Sequence, residues 1–150
     1  MQTVLTLIVA WLAANFALPE SHDHPEVNLV AADAMQVERL KAAERGQPRK
    51  FRTSEEASTP QIVAFYDDAT QMIYLSHRWT GNTPAELSVL VHEMVHHLQN
   101  VTGMKYACPE AREKLAYLAQ DKWLNQFGLN LIDEFELNEM TVLVRTNCFY

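Results

Sequence analysis

Apolar positions fall into helix-like and strand-like spacings along this chain, and the changes between them outline its elements. Met1–Leu18 holds no charged side chain and reads Val4, Leu5, Leu7, Ile8, Val9, Trp11, Leu12, Phe16. No Lys or Arg precedes that run and no clear small-x-small cleavage site follows it, so the marks of a secretory signal are missing. Asn15 and Pro19 close it short of the roughly 20 apolar residues of a membrane span. The pattern predicts a buried core helix that ends before Pro19, and no stable membrane span. Val27–Val30, after the turn-forming Pro25, reads as a strand. Ala32–Glu44 has helical spacing through Met35, Val37 and Leu40, and Gly46 with Pro48 ends it.

Gly46–Pro60 is polar and aperiodic, which reads as a solvated helix end and a mobile loop. Gln61–Tyr66 and Met72–Leu75 are β-rich runs separated by Asp67, Asp68, Ala69, Thr70 and Gln71, the spacing of a hairpin. Thr83-Pro84-Ala85-Glu86 is a strong helix start: a capping threonine, proline in the first turn, and a glutamate three residues on to complete a capping box. That helix is expected to run to about Thr102 and stop at Gly103. Pro109 opens another, expected to last to Phe127 and stop at Gly128. Leu129–Tyr150 is ambiguous, since Met140–Val144 fits a helix turn or a strand. The sum is an α+β fold, a small antiparallel or mixed sheet with helices packed beside it.

Length places all of this in one domain, residues 1–150. With 48% apolar and 21% charged residues the composition is that of a globular protein. A net charge of -7 opposes general nucleic-acid binding, because a phosphate backbone repels such a surface. Arg39–Arg52 holds half of the Lys and Arg residues, but Glu38, Glu44, Glu55 and Glu56 dilute its field, so it reads as a solvated helix end and loop. Two cysteines are too few for a disulfide framework or a Cys-rich zinc module. Cys108 and Cys148 are expected to pair if the protein is exported. The compartment stays open between cytoplasm and export, and so does the oligomeric state.

Six histidines are present, three of them within His92–His97. His92-Glu93-Met94-Val95-His96 fits the H-E-x-x-H pattern inside the helix that begins at Thr83. Residues four apart share a helix face, about 6 Å from each other along the axis, so both imidazoles can reach one metal ion. Glu93 is rotated about 100° from His92 and points beside the metal, where it can hold a proton of the attacking water. Leu87, Leu90, Met94 and Leu98 form an apolar stripe opposite the histidines. Ala85, Ser88, Val89 and Gln99, all small or uncharged, share the histidine face. From Leu87 to Val101 the only charged side chain is Glu93, so most of the circumference is expected to be covered. His97, about 100° from His96, reads as a polar neighbour. His22 and His24 read as parts of a solvated turn.

A catalytic zinc takes three protein ligands. No third histidine follows closely, which leaves Glu110 and Glu113 on the next helix. Ala116, Tyr117, Gln120, Trp123, Leu124 and Phe127 lie within about 80° of Glu113 around that helix, so Glu113 is the charged group on its apolar face. Glu110 occupies the first turn, where the helix dipole favours any acid. The expected ligands are therefore His92, His96 and Glu113.

The hairpin, Val91-His92-Glu93-Met94-Val95-His96-His97-Leu98-Gln99 and Glu113-Lys114-Leu115-Ala116-Tyr117-Leu118-Ala119-Gln120 together resemble a small bacterial family of zincin-like proteins, within the zincins closest to gluzincins. The resemblance covers Gln61–Phe127 and is fainter around Trp11–Val30. It implies a metallopeptidase-like domain acting on peptide or protein, with His92, His96 and Glu113 on zinc and Glu93 as general base. It also implies that Met72–Leu75 is an edge strand bordering the cleft, to which an extended peptide adds. The interval from His96 to Glu113 is shorter than in larger gluzincins, and no substrate-binding subdomain is evident. Tyr117, one turn beyond Glu113, is the candidate to steady the oxyanion. Two other readings stand beside this one: a non-catalytic metal-binding or interaction module on the same scaffold, and a zinc amidase acting on a non-peptide substrate.

Overall fold

The structure is a computed structural model that describes residues 1–46 and 64–149. Gly46–Pro60 beyond its first residue, with Arg49, Lys50 and Arg52, lies outside the described residues, as do positions 61–63 of the first hairpin strand. The chain divides into two compact units, Pro25–Trp79 and Met1–His24 with Thr80–Tyr150.

Pro25–Trp79 is built from β1 (Glu26–Val30), α2 (Ala32–Gly46), β2 (Ala64–Asp67) and β3 (Met72–Ser76), α1 (Gln2–Phe16) belonging to the other unit. The sheet order is β1-β3-β2, with β1 parallel to β3 and β2 antiparallel to it. The hairpin forms as expected. The edge-strand assignment for Met72–Leu75 does not hold. β3 is the central strand, hydrogen-bonded on both sides, so no open edge remains there for a peptide. Its consecutive Ile73, Tyr74 and Leu75 are all buried, as in a strand covered on both faces. Phe65 stacks on Tyr74 with ring centroids 4.8 Å apart, and Met35 of α2 is buried.

Asp67 closes the hairpin. Its carboxylate accepts from Thr70 Oγ1 at 2.8 Å, from the Ala69 N–H at 3.1 Å, and from Arg45. Burial opposes its ionisation, but the donors from Thr70, Arg45 and Ala69 overcome that and hold the carboxyl below its usual range. A depressed carboxylate pKa contributes stability above the ordinary value near 3.9, and that stability is lost as pH falls through the lowered one.

The other unit is helical. α1 (Gln2–Phe16) buries Leu5, Ile8, Val9 and Leu12, and Ala17 ends it in the left-handed conformation at φ 53°. It is the expected core helix, packed on α3. No helix among the described residues is long and apolar enough to cross a membrane. α3 (Pro84–Val101) starts on the full capping box, with the Glu86 N–H donating to Thr83 Oγ1 at 3.1 Å. α4 (Pro109–Asn125) packs along α3, followed by α5 (Leu131–Glu134) and α6 (Glu139–Thr146), which lies on α4. The ambiguous Met140–Val144 is thus helical.

α4 ends earlier than its pattern implies. The Leu129 N–H returns to the Leu124 carbonyl at 3.2 Å, Gly128 takes φ 72°, and Phe127 is turned out of the buried face with 51% exposure. Cys108 and Cys148 form a disulfide with Cα atoms 5.9 Å apart across a separation of 40 residues. Closing a loop of that size stabilises by about 3–4 kcal/mol. Cys108 is also the N-cap of α4, its Sγ accepting from the Ala111 N–H.

Candidate metal centre

α3 and α4 bring three of the singled-out side chains to one point. His92, His96 and Glu113 each offer a ligand atom, and these atoms lie within 4.8 Å of one another. His92 Nε2 stands 3.1 Å from Glu113 Oε2, His96 Nε2 stands 3.2 Å from Glu113 Oε1, and the two Nε2 atoms are 3.2 Å apart. The cluster can hold a metal ion.

The protons of this cluster can be worked out from the backbone inward. Ser88 Oγ donates to the Ala85 carbonyl at 2.7 Å, which leaves its lone pairs to accept from Gln120 Nε2 at 3.3 Å. Gln120 therefore turns Oε1 toward His92 Nδ1, 3.0 Å away. On the other side Gln99 Nε2 donates to the Arg112 carbonyl at 3.1 Å, so Gln99 Oε1 faces His96 Nδ1 at 3.0 Å. An amide oxygen only accepts, so each Nδ1 must carry a hydrogen and each neutral imidazole presents a bare Nε2. Two bare nitrogens and two carboxylate oxygens then face each other with no hydrogen between them. Such a set repels itself unless a cation sits among them, and this is the donor chemistry of a metal site.

Glu113 brings negative charge to this set, and a cation placed between its oxygens and the two Nε2 atoms offsets the cost of its partial burial. Arg112 steadies the far side, with Nη2 donating to the His96 carbonyl at 3.1 Å and Nε to Gln99 Oε1 at 3.3 Å.

Glu93 is 6% exposed and stands outside the ligand cluster. Tyr117 meets His92 edge to face, centroids 4.9 Å apart, and its Oη accepts from Arg145 Nη1 at 3.3 Å. Glu110 is exposed in the first turn of α4. His97 is turned away, buried, its Nε2 donating to the Asp23 carbonyl at 2.8 Å, and burial pushes its pKa down. His22 is exposed, and His24 Nδ1 pairs with Gln2 Oε1 at 2.8 Å; neither belongs to the cluster.

Ser88, Gln99, Arg112 and Gln120 are the residues that sequence reasoning passed over. The available clue was an uncharged polar side chain on the ligand-bearing face of each helix, Gln99 three residues after His96 and Gln120 seven after Glu113. Gln99→Leu and Gln120→Leu are each expected to weaken metal binding about 10–100-fold, the usual effect of removing such a partner. Competition against a chromogenic chelator measures it, and unchanged affinity in both variants would show that the amides orient nothing.

No curated protein and no solved structure matches the chain. A family model does match, over residues 1–150, and the chain belongs to the family it describes, Domain of unknown function (DUF6647).

Proposed function

We propose that this chain is a zinc-dependent metallopeptidase of zincin-like type, with zinc on His92, His96 and Glu113 and Glu93 as general base. The observation that carries the reading is the pair of bare Nε2 atoms and the ionised carboxylate, converging at 3.1–3.2 Å under two amides that fix the tautomers. Ligand atoms about 2.0–2.1 Å from a tetrahedral zinc stand about 3.3 Å from one another, close to that spacing. Zinc supplies Lewis acidity toward a carbonyl oxygen and lowers the pKa of water beside it toward 7.

Glu93 follows His92 directly in α3 and takes the proton of the attacking water, then returns it to the departing amine nitrogen. A carboxylate that directly follows the ligand His92 yet stands outside the ligand set is where a general base is needed. Tyr117 accepts from Arg145 and so keeps its own O–H to donate to the developing oxyanion.

Protein expressed with ample zinc is expected to hold about one ion per chain and to cleave a peptide library. Chelation is expected to abolish cleavage and added zinc to restore it. Metal content near zero would overturn the reading at its base. A loaded protein that leaves every peptide intact would overturn peptidase activity and direct attention to small amides.

A further inference from the structure

The groove over α6 has a cation at one end. Asn138, Met140, Thr141, Val144 and Arg145 line an open hollow of about 440 Å³. Met140 and Val144 are 66% and 51% exposed, so its wall is an uncovered apolar strip. Arg145 is also exposed; among the described residues its one hydrogen bond goes to Tyr117 Oη and no carboxylate pairs with it. A guanidinium has five N–H donors in a fixed fork that matches a carboxylate, and most of them are unused here.

Position adds to chemistry. Tyr117 touches Arg145 through its hydroxyl and His92 through its ring, so a single side chain separates the guanidinium from a candidate ligand. The groove is also held in place. Cys148, three residues past Arg145, is bonded to Cys108 at the N-cap of α4, the helix that carries Tyr117 and Glu113. The backbone that carries Arg145 is thus anchored before a ligand arrives, which lowers the ordering cost of binding.

We propose that Arg145 binds a carboxylate of the substrate, beside an apolar residue laid along Met140 and Val144. The substrate class is thus a peptide that carries a carboxylate close to the scissile bond, either on an acidic side chain or at the chain terminus. As a statement about substrate this rests on the hydrolytic reading of the metal centre. As a statement about binding it can be tested without metal.

The test is a titration of the intact, oxidised, metal-free protein, followed by NMR, with three blocked peptides: acetyl-Leu-Ala with a free carboxylate, its amide, and acetyl-Leu-Glu amide. One or both of the carboxylate peptides is expected to bind about tenfold tighter than the uncharged amide, with the advantage shrinking as salt rises. Preference for the first assigns the site to chain ends, and preference for the third to acidic side chains. Arg145→Met is expected to erase the advantage, and Arg145→Lys to keep part of it, since charge remains but the fork is lost.

Equal affinity for all three peptides overturns the proposal, as does an advantage that survives Arg145→Met. Because the reading is binding to metal-free protein, a failed zinc or cleavage experiment leaves this result intact. Cleavage that ignores the carboxylate would overturn this proposal alone.

Discussion

Glu113→Ala is expected to empty the metal centre, while Glu110→Ala keeps it full. The two glutamates lie three residues apart on α4 and differ in everything that matters to a ligand. Glu113 faces both histidines, at 3.1 Å and 3.2 Å, and brings the negative charge that a cation among them would meet. Removing it leaves two imidazoles and no charge to offset the cation. A four-ligand structural zinc site supplies about 10–16 kcal/mol, so one ligand corresponds to roughly a hundred- to a thousandfold in affinity. Glu110 is exposed in the first turn, where its loss costs at most about 1 kcal/mol through the helix dipole. Zinc stoichiometry after dialysis against a weak chelator decides it. Loss of metal from the Glu110 variant and retention in the Glu113 variant would reverse the assignment.

Glu93→Gln is expected to retain zinc and lose hydrolysis by about 10²–10⁴-fold. The amide has nearly the shape of the acid, so the packing around this 6%-exposed position is preserved. What it lacks is the ability to accept a proton. The ligand set is untouched, because Glu93 is not one of the three groups that meet at the metal position. The informative comparison is kcat at equal zinc content. Full activity in the variant would remove Glu93 from the mechanism, and loss of zinc along with activity would make it a structural group.

The parts of the site that came from one stretch of chain were legible beforehand. The capping box at Thr83 fixed the phase of α3, and from that phase the shared face of His92 and His96 followed. Glu113 stood out because a single helix face can be drawn from sequence alone. The relay through Ser88, Gln99, Arg112 and Gln120 could not be drawn, since its hydrogen bonds exist only once α3 and α4 pack together. β3 was misplaced for a related reason. A hairpin announces the neighbour next in sequence, whereas the parallel partner β1 lies far upstream and leaves no local mark. Phe127 followed the helical spacing, and the turn at Gly128 overrode it.

The Cys108–Cys148 bond makes a closed ring of the segment that holds Glu113, Tyr117 and Arg145. Exposed connector residues such as Phe127 and Gly128 lie inside that ring, and such tips are where proteases cut. A single cut there leaves two pieces that are still covalently joined, with α6 tied to the start of α4. In an oxidising compartment the protein nicked in this way therefore loses no part of the chain. In a reducing one the same nick sets α6 free, and Arg145 departs with it.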